Sequence, residues 1–190
     1  MKTRMLKTIQ ETKMHDHTCL FFNNNLEFFH CAIPFITEGL KNNEKCFVVV
    51  DEITREEVLK NFKYLFRDGR NPFEELGKNS RVEIIHFKDV YLIDGFFNTE
   101  RTIENYLAVT EQAIANGFSG VRVFAEVSDS LKSLANQEEF LLYEEKIDKY
   151  FNDHNFLAVC AYSKKHFSDN FLSKMLRAHP IEIDLLRTRL

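Results

Sequence analysis

His17 and Cys19 open the first apolar run of the chain, in "HDHTCLFF", with His15 just before them. Standing two apart, they share one face if this run is a strand. Imidazole beside thiol is either a zinc ligand pair or an activated-thiol pair. The other soft or borderline ligands are His30, Cys31, Cys46, Cys160 and His179. None of the four cysteines has CxxC spacing and three lie in apolar runs, so buried thiols are expected. His30 and Cys31 are adjacent on a helical pattern and point about 100° apart. A strand interior raises a thiol pKa, which counts against Cys19 as a nucleophile. No GxSxG elbow or protease-type cysteine motif is present. The expectation is no catalytic residue, no bound metal and no cofactor.

Acids and one arginine make the second set. Asp51 follows "CFVVV" and Glu126 follows "VRVFA". Each is a general base or ligand acceptor on one reading, and a cap of the following segment on the other. Arg122 alternates with Val121 and Val123, so it faces away from them. An acid partner is its plainer role, a ligand anchor its sharper one.

These residues sit on short β-rich runs that alternate with helical patterns. The strands are expected at 18–22, 46–51, 82–87, 121–126, 156–162 and 181–186. "CFVVV" and "FLAVCA" are nearly continuous apolar runs, as in strands covered on both faces. The first helix carries Leu26, Phe29, Ile33, Ile36 and Leu40, with Pro34 predicting a kink or a later start. The second begins with a capping box, Thr54 to Glu57, and carries Val58, Phe62 and Leu65. A third runs from Thr99 through Ile103, Leu107, Thr110 and Ile114 to Gly117. A fourth carries Phe140, Tyr143, Ile147 and Tyr150, and a fifth runs from Ser168 to before Pro180. Such alternation predicts one three-layer α/β domain over residues 15–190, a mainly parallel sheet flanked by helices. Residues 1–14 are expected to be a polar arm or frayed helix.

Ligands of open parallel sheets bind beyond the carboxyl ends of the strands. That rule selects Asn23–Asn25, Asp51 and Glu52, Lys88–Tyr91, Glu126–Asp129 and Tyr162–Lys164. A P-loop needs glycine amides against the phosphate and a lysine to neutralise it. The first loop, "FNNNLEF", has neither and adds Glu27. The layout of a nucleotide-binding unit is there without its equipment.

The 190 residues carry a net charge of −4, which gives no reason to expect nucleic-acid binding. No apolar run is long enough for a transmembrane helix, and the first 17 residues lack a signal-peptide core. A cytoplasmic protein is expected. The 19 phenylalanines and 6 tyrosines, with no tryptophan, build core and can also line an apolar cavity.

Seven segments in order carry a family resemblance: "HTCLFF", "FITEGLKNNEKCFVVVD", "DVYLIDGFFN", "GFSGVRVFAE", "YEEKI", "AVCAYS" and "HP". Together they resemble the MEDS domain, the methanogen/methylotroph DcmR sensory domain, over roughly residues 15–182. The first strand and helix are also similar to a KaiC-like, RecA-type core that lacks its P-loop. The resemblance implies a non-catalytic sensory module of prokaryotic signalling that responds to a simple hydrocarbon derivative. With nothing after Leu190, a stand-alone version is expected, signalling through a partner protein or a homodimer. The positions it carries over are His17, Cys19, Asp51, Asp89, Tyr91, Arg122, Glu126 and Tyr162 as ligand-binding residues, together with Cys160 and His179. His17 and Cys19 enter the first strand, so they would act from inside the sheet. The alternatives are a degenerate RecA-like nucleotide-binding protein and a metal or thiol redox sensor.

Overall fold

Seven parallel strands, in the order β1-β7-β2-β6-β5-β3-β4, form one sheet in the computed structural model. Residues 5–63, 80–128, 130–131 and 137–188 are described; Leu65 and Asp129 lie outside them. In chain order the elements are β1 (Met5–Lys7), β2 (His17–Phe22), α1 (Asn25–Lys41), β3 (Lys45–Val50), α2 (Arg55–Lys63), β4 (Val82–His86) and α3 (Phe87–Tyr91). Then follow α4 (Thr99–Ala115), β5 (Val121–Val127), α5 (Gln137–Phe151), β6 (Phe156–Ser163), α6 (Asp169–Ala178) and β7 (Ile181–Ile183). Met5–Lys7, within the expected polar arm, add the edge strand β1 beside β7.

Every residue of β3, β5 and β6 is buried, because helices cover both faces of the central sheet. The strand period of two then divides the side chains into two cores. Val121, Val123, Ala158, Cys160 and Tyr162 face α3, α4, α5 and α6. Phe124, Val159, Val48 and Leu20 face α1 and α2. In that second core Phe28 meets Phe124 edge-on at 5.0 Å, and Phe35 meets it at 5.5 Å.

Local signals set the helix ends. Asn24 caps α1 by accepting from the Glu27 amide at 3.1 Å. The helix runs unbroken from Asn25 through Pro34, so the later start allowed by the sequence does not occur. Pro34 only deprives the His30 carbonyl of its usual N–H. The Thr54–Glu57 box closes in both directions, at 2.9 and 3.2 Å. Gly117, with φ +89°, turns the chain out of α4. Phe87, expected at the end of a strand, starts the short helix α3, with His86 accepting from the Lys88 amide at its cap.

Arg122 is 2% exposed and lies at the amino end of β5, on the α1 side. Its guanidinium pairs with Glu44, with Nη2 3.3 Å from Oε1, and donates to the Phe35 carbonyl at 3.1 Å. Phe35 also lies under the guanidinium, 4.6 Å from its centre. Gly39 makes room for it, since a Cβ there would fall 2.8 Å from Arg122 Cδ. Arg122 is therefore bound up with Glu44 inside the fold, on the opposite face and the opposite end from a ligand beyond the carboxyl ends. Arg122→Met leaves the Glu44 carboxylate buried and alone, and is expected to cost about 3–5 kcal/mol of stability in urea unfolding.

Candidate functional site

Where a phosphate loop would stand, the start of α1 is occupied by the chain itself. The Glu27 carboxylate accepts from the Asn23 amide at 2.7 Å and from Asn23 Nδ2 at 2.9 Å. A helix N-terminus attracts anions through free amides and its dipole. Here a resident carboxylate already takes that position and would repel a phosphate.

At the carboxyl ends of β3 and β5, Asp51 and Glu126 form a closed network. Glu126 Oε2 accepts from the amides of Asp51 and Ile53 at 2.8 and 3.0 Å, and Oε1 from Ser128 Oγ at 3.0 Å. Asp51 in turn accepts from the Ser130 amide at 2.8 Å and its hydroxyl at 2.5 Å. Both acids act as caps that tie the two loops together. Burial raises the Glu126 pKa, against the three hydrogen bonds that lower it.

A buried polar cluster lies elsewhere, on the α5 and α6 side of β2 and β6. His17 starts β2, Cys160 lies within β6, Glu144 is on α5, and His179 follows the last residue of α6. The β2–β6 register pairs His17 with Ala158 and Cys19 with Cys160, so both side chains project from neighbouring positions of one face. Exposure is 1% at His17 and Glu144, 3% at His179 and 6% at Cys160.

Glu144 Oε2 is the hub. It lies 3.2 Å from His17 Nε2, 3.5 Å from His179 Nε2 and 3.9 Å from Cys160 Sγ. Cys160 Sγ is 3.7 Å from His17 Nε2. The other oxygen, Oε1, accepts from the Tyr162 hydroxyl at 2.7 Å. His179 Nδ1 donates to the Met175 carbonyl at 2.8 Å, which leaves a lone pair on its Nε2. That Nε2 has no hydrogen-bond partner, and neither has His17 Nδ1, which lies 3.5 Å from Asp148 Oδ1. The two imidazole centroids lie 4.2 Å apart with the rings tilted by 43°, and Phe151 stacks on His17 at 4.6 Å.

Burial alone would lower the His17 pKa, but Asp148 and Glu144 outweigh it and hold the value above the ordinary one. Glu144 moves the other way: burial raises it, and the two histidines with Tyr162 bring it below the usual value. Burial and the charge on His17 bring His179 down to about 4, so it is neutral at pH 7. The Cys160 thiol is pushed up by burial and by Glu144. It is not a reactive thiolate as it stands.

A groove of about 290 Å³ is the second feature on this side of the sheet, between β3, β4, α3 and α4. Phe47, Val49, Ile85, Val90, Tyr106 and Val109 wall it, and Asp89 and Asn105 supply the polar groups. It continues past Lys45, Glu83 and Phe118 into a wider cleft. The Tyr106 hydroxyl lies 2.9 Å from that of Tyr91, which is buried behind it.

The residues expected to form one ligand site thus fall in four places. His17 and Tyr162 belong to the buried cluster. Cys19 packs beside it, its thiol aimed at the Ile181 carbonyl at 3.6 Å. Asp89 and Tyr91 belong to the groove and its backing, Asp51 and Glu126 to the loop network, and Arg122 to the Glu44 pair. Sequence reasoning missed Glu144. Its signal is phase: it stands four residues after Phe140, three before Ile147 and seven before Phe151, all buried on one stripe of α5. A carboxylate on that stripe needs partners inside.

Two measurements follow. Millimolar Mg·ATP is expected to leave the melting temperature unchanged, and a rise would contradict the Glu27 reading. The raised Glu126 pKa favours the protonated acid in the folded state, so its contribution is full below 4.5 and is lost as pH rises through the folded value. Glu126→Gln keeps an acceptor for both amides, and its stability is expected to fall less than wild type from pH 4.5 to 7; parallel curves would contradict this.

No helix among the described residues is long and apolar enough to cross a membrane. Among proteins with curated functions, none matches this chain. Residues 16–180 match the family MEDS, the MEthanogen/methylotroph, DcmR Sensory domain. A match of that extent includes β2 through α6 and every residue of the buried cluster, and the chain belongs to the MEDS family of sensory domains.

Proposed function

We propose that this domain is a non-catalytic sensor that binds a small, partly apolar molecule in the groove between β3, β4, α3 and α4. The groove itself is the supporting observation: about 290 Å³ of mostly apolar wall with Asp89 and Asn105 beside it. That size and composition suit a small organic ligand with one polar group. The family's sensory character points the same way. A simple hydrocarbon derivative bearing a hydroxyl, carbonyl or halogen has the right chemistry. A triphosphate has not, with Asp89 at the groove and Glu27 at the start of α1.

Sensing requires two conformations that differ in affinity for the ligand, since equal binding shifts nothing. Tyr106 links the groove to the interior, through its hydroxyl to Tyr91 and its ring to Phe156 of β6, 5.2 Å away. A ligand that displaces Tyr106 repacks the layer between the sheet and α4 and α5. The output is a changed surface read by a partner protein or a second copy of the chain.

A thermal-shift series with short-chain alcohols, aldehydes and haloalkanes tests this reading. At least one class is expected to raise the melting temperature of the wild type. Ala108 borders the groove from the exposed face of α4, so Ala108→Trp fills it without crowding the core. The ligand-induced rise is expected to vanish in that variant. No response from any class, or an equal response in Ala108→Trp, overturns the proposal.

A further inference from the structure

We propose that His17, Glu144, Cys160 and His179 form a binding site for a divalent transition-metal ion, with zinc(II) the best fit. One ligand atom from each residue lies within 4.8 Å of all the others, and all four residues are buried. Two imidazole nitrogens, a thiolate and a carboxylate are the ligand types that zinc takes in four-coordinate sites.

Four of the six spacings come close to those of a tetrahedron, and the remaining two are within 4.8 Å. With metal–nitrogen and metal–oxygen bonds of about 2.0–2.1 Å and a metal–sulfur bond of about 2.3 Å, its edges measure about 3.3–3.6 Å. The recorded edges are 3.2 and 3.5 Å from Glu144 Oε2 to the two Nε2 atoms, and 3.7 and 3.9 Å from Cys160 Sγ to His17 Nε2 and Glu144 Oε2. A few tenths of an ångström separate the two sets.

His179 supplies an independent pointer. Its Nδ1–H is engaged by the Met175 carbonyl, so the Nε2 lone pair faces the Glu144 carboxylate at 3.5 Å with no donor between. Two acceptors held against each other in the interior are unfavourable. A cation among them turns the same geometry into two bonds. A carbonyl that fixes the tautomer, and a hydroxyl that holds the second carboxylate oxygen, are the outer partners typical of metal-bound histidine and glutamate. Tyr162 is that hydroxyl.

The charges also balance. A dication with one thiolate, one carboxylate and two neutral imidazoles sums to zero, which suits a buried site. The four ligands come from β2, β6, α5 and the end of α6, so the ion ties two strands to two helices. All four positions are filled by protein, the arrangement of a closed site that stabilises a fold rather than one that activates water.

Titration of chelator-stripped protein with cobalt(II) tests this directly. The wild type is expected to take up about one ion per chain, with a near-ultraviolet thiolate-to-cobalt charge-transfer band and the strong visible bands of four-coordination. Zinc(II) is expected to displace the cobalt. Cys160→Ser removes the charge-transfer band, and His179→Gln weakens binding at least about tenfold. Cys19→Ser, which alters the neighbouring thiol, keeps both. The wild-type band decides without any variant, and circular dichroism establishes that each variant is folded. No uptake, uptake without a thiolate band, or a band that survives in Cys160→Ser overturns the proposal.

Discussion

A carboxylate in the interior of a protein has to be answered by the groups around it, and Glu144 sets that condition for this fold. It reaches across from α5 to the face of the sheet where β2 and β6 lie side by side. Tyr162 answers one oxygen and His17 the other. His179 reaches the same point because α6 ends there and the chain turns at Pro180 into β7. Deletion of Glu144 would therefore affect the seating of two helices as well as a single hydrogen bond.

The same side of the sheet holds the groove, and an aromatic layer joins the two. Tyr143, next to Glu144, packs on Tyr91 at 5.9 Å and on Phe97 at 5.5 Å. Tyr91 contacts Tyr106 through its hydroxyl, and Tyr106 forms the groove wall. Phe156 touches both Tyr106 and Phe151, which in turn covers His17. A change of packing at the groove and a change of charge at Glu144 thus act on one contiguous set of rings. The proposed ligand and the proposed metal would share that medium, with α5 as the element that both would bias.

Much of the fold was legible in the sequence because its signals are local. The Thr54–Glu57 box, Gly117 at the end of α4, Ser168 at the start of α6 and the apolar runs of β3 and β6 each specify their own element. The three-layer parallel architecture follows from their alternation. α3 was not legible: five residues are too short for a helical period, and Phe87 reads equally well as the end of a strand. The site was legible only in part. Two-residue spacing placed His17 and Cys19 on one face correctly, but the partners of His17 come from 127, 143 and 162 positions away in the chain, counting from His17 to Glu144, Cys160 and His179. Spacing carries no information about such pairings. Asp51, Glu126 and Arg122 show the converse. Asp51 and Glu126 stand where a ligand group could stand and Arg122 reads as an anchor, yet each is satisfied by the fold itself, which only the hydrogen-bond partners reveal.

The account turns on whether Glu144, His17, Cys160 and His179 are held together by an ion, and X-ray absorption at the zinc edge reads that directly. For protein loaded with one equivalent of zinc, it predicts a shell of one sulfur at about 2.3 Å with three nitrogen or oxygen neighbours at about 2.0–2.2 Å. A shell without sulfur, or a six-coordinate shell of oxygen, would place the ion elsewhere and contradict it.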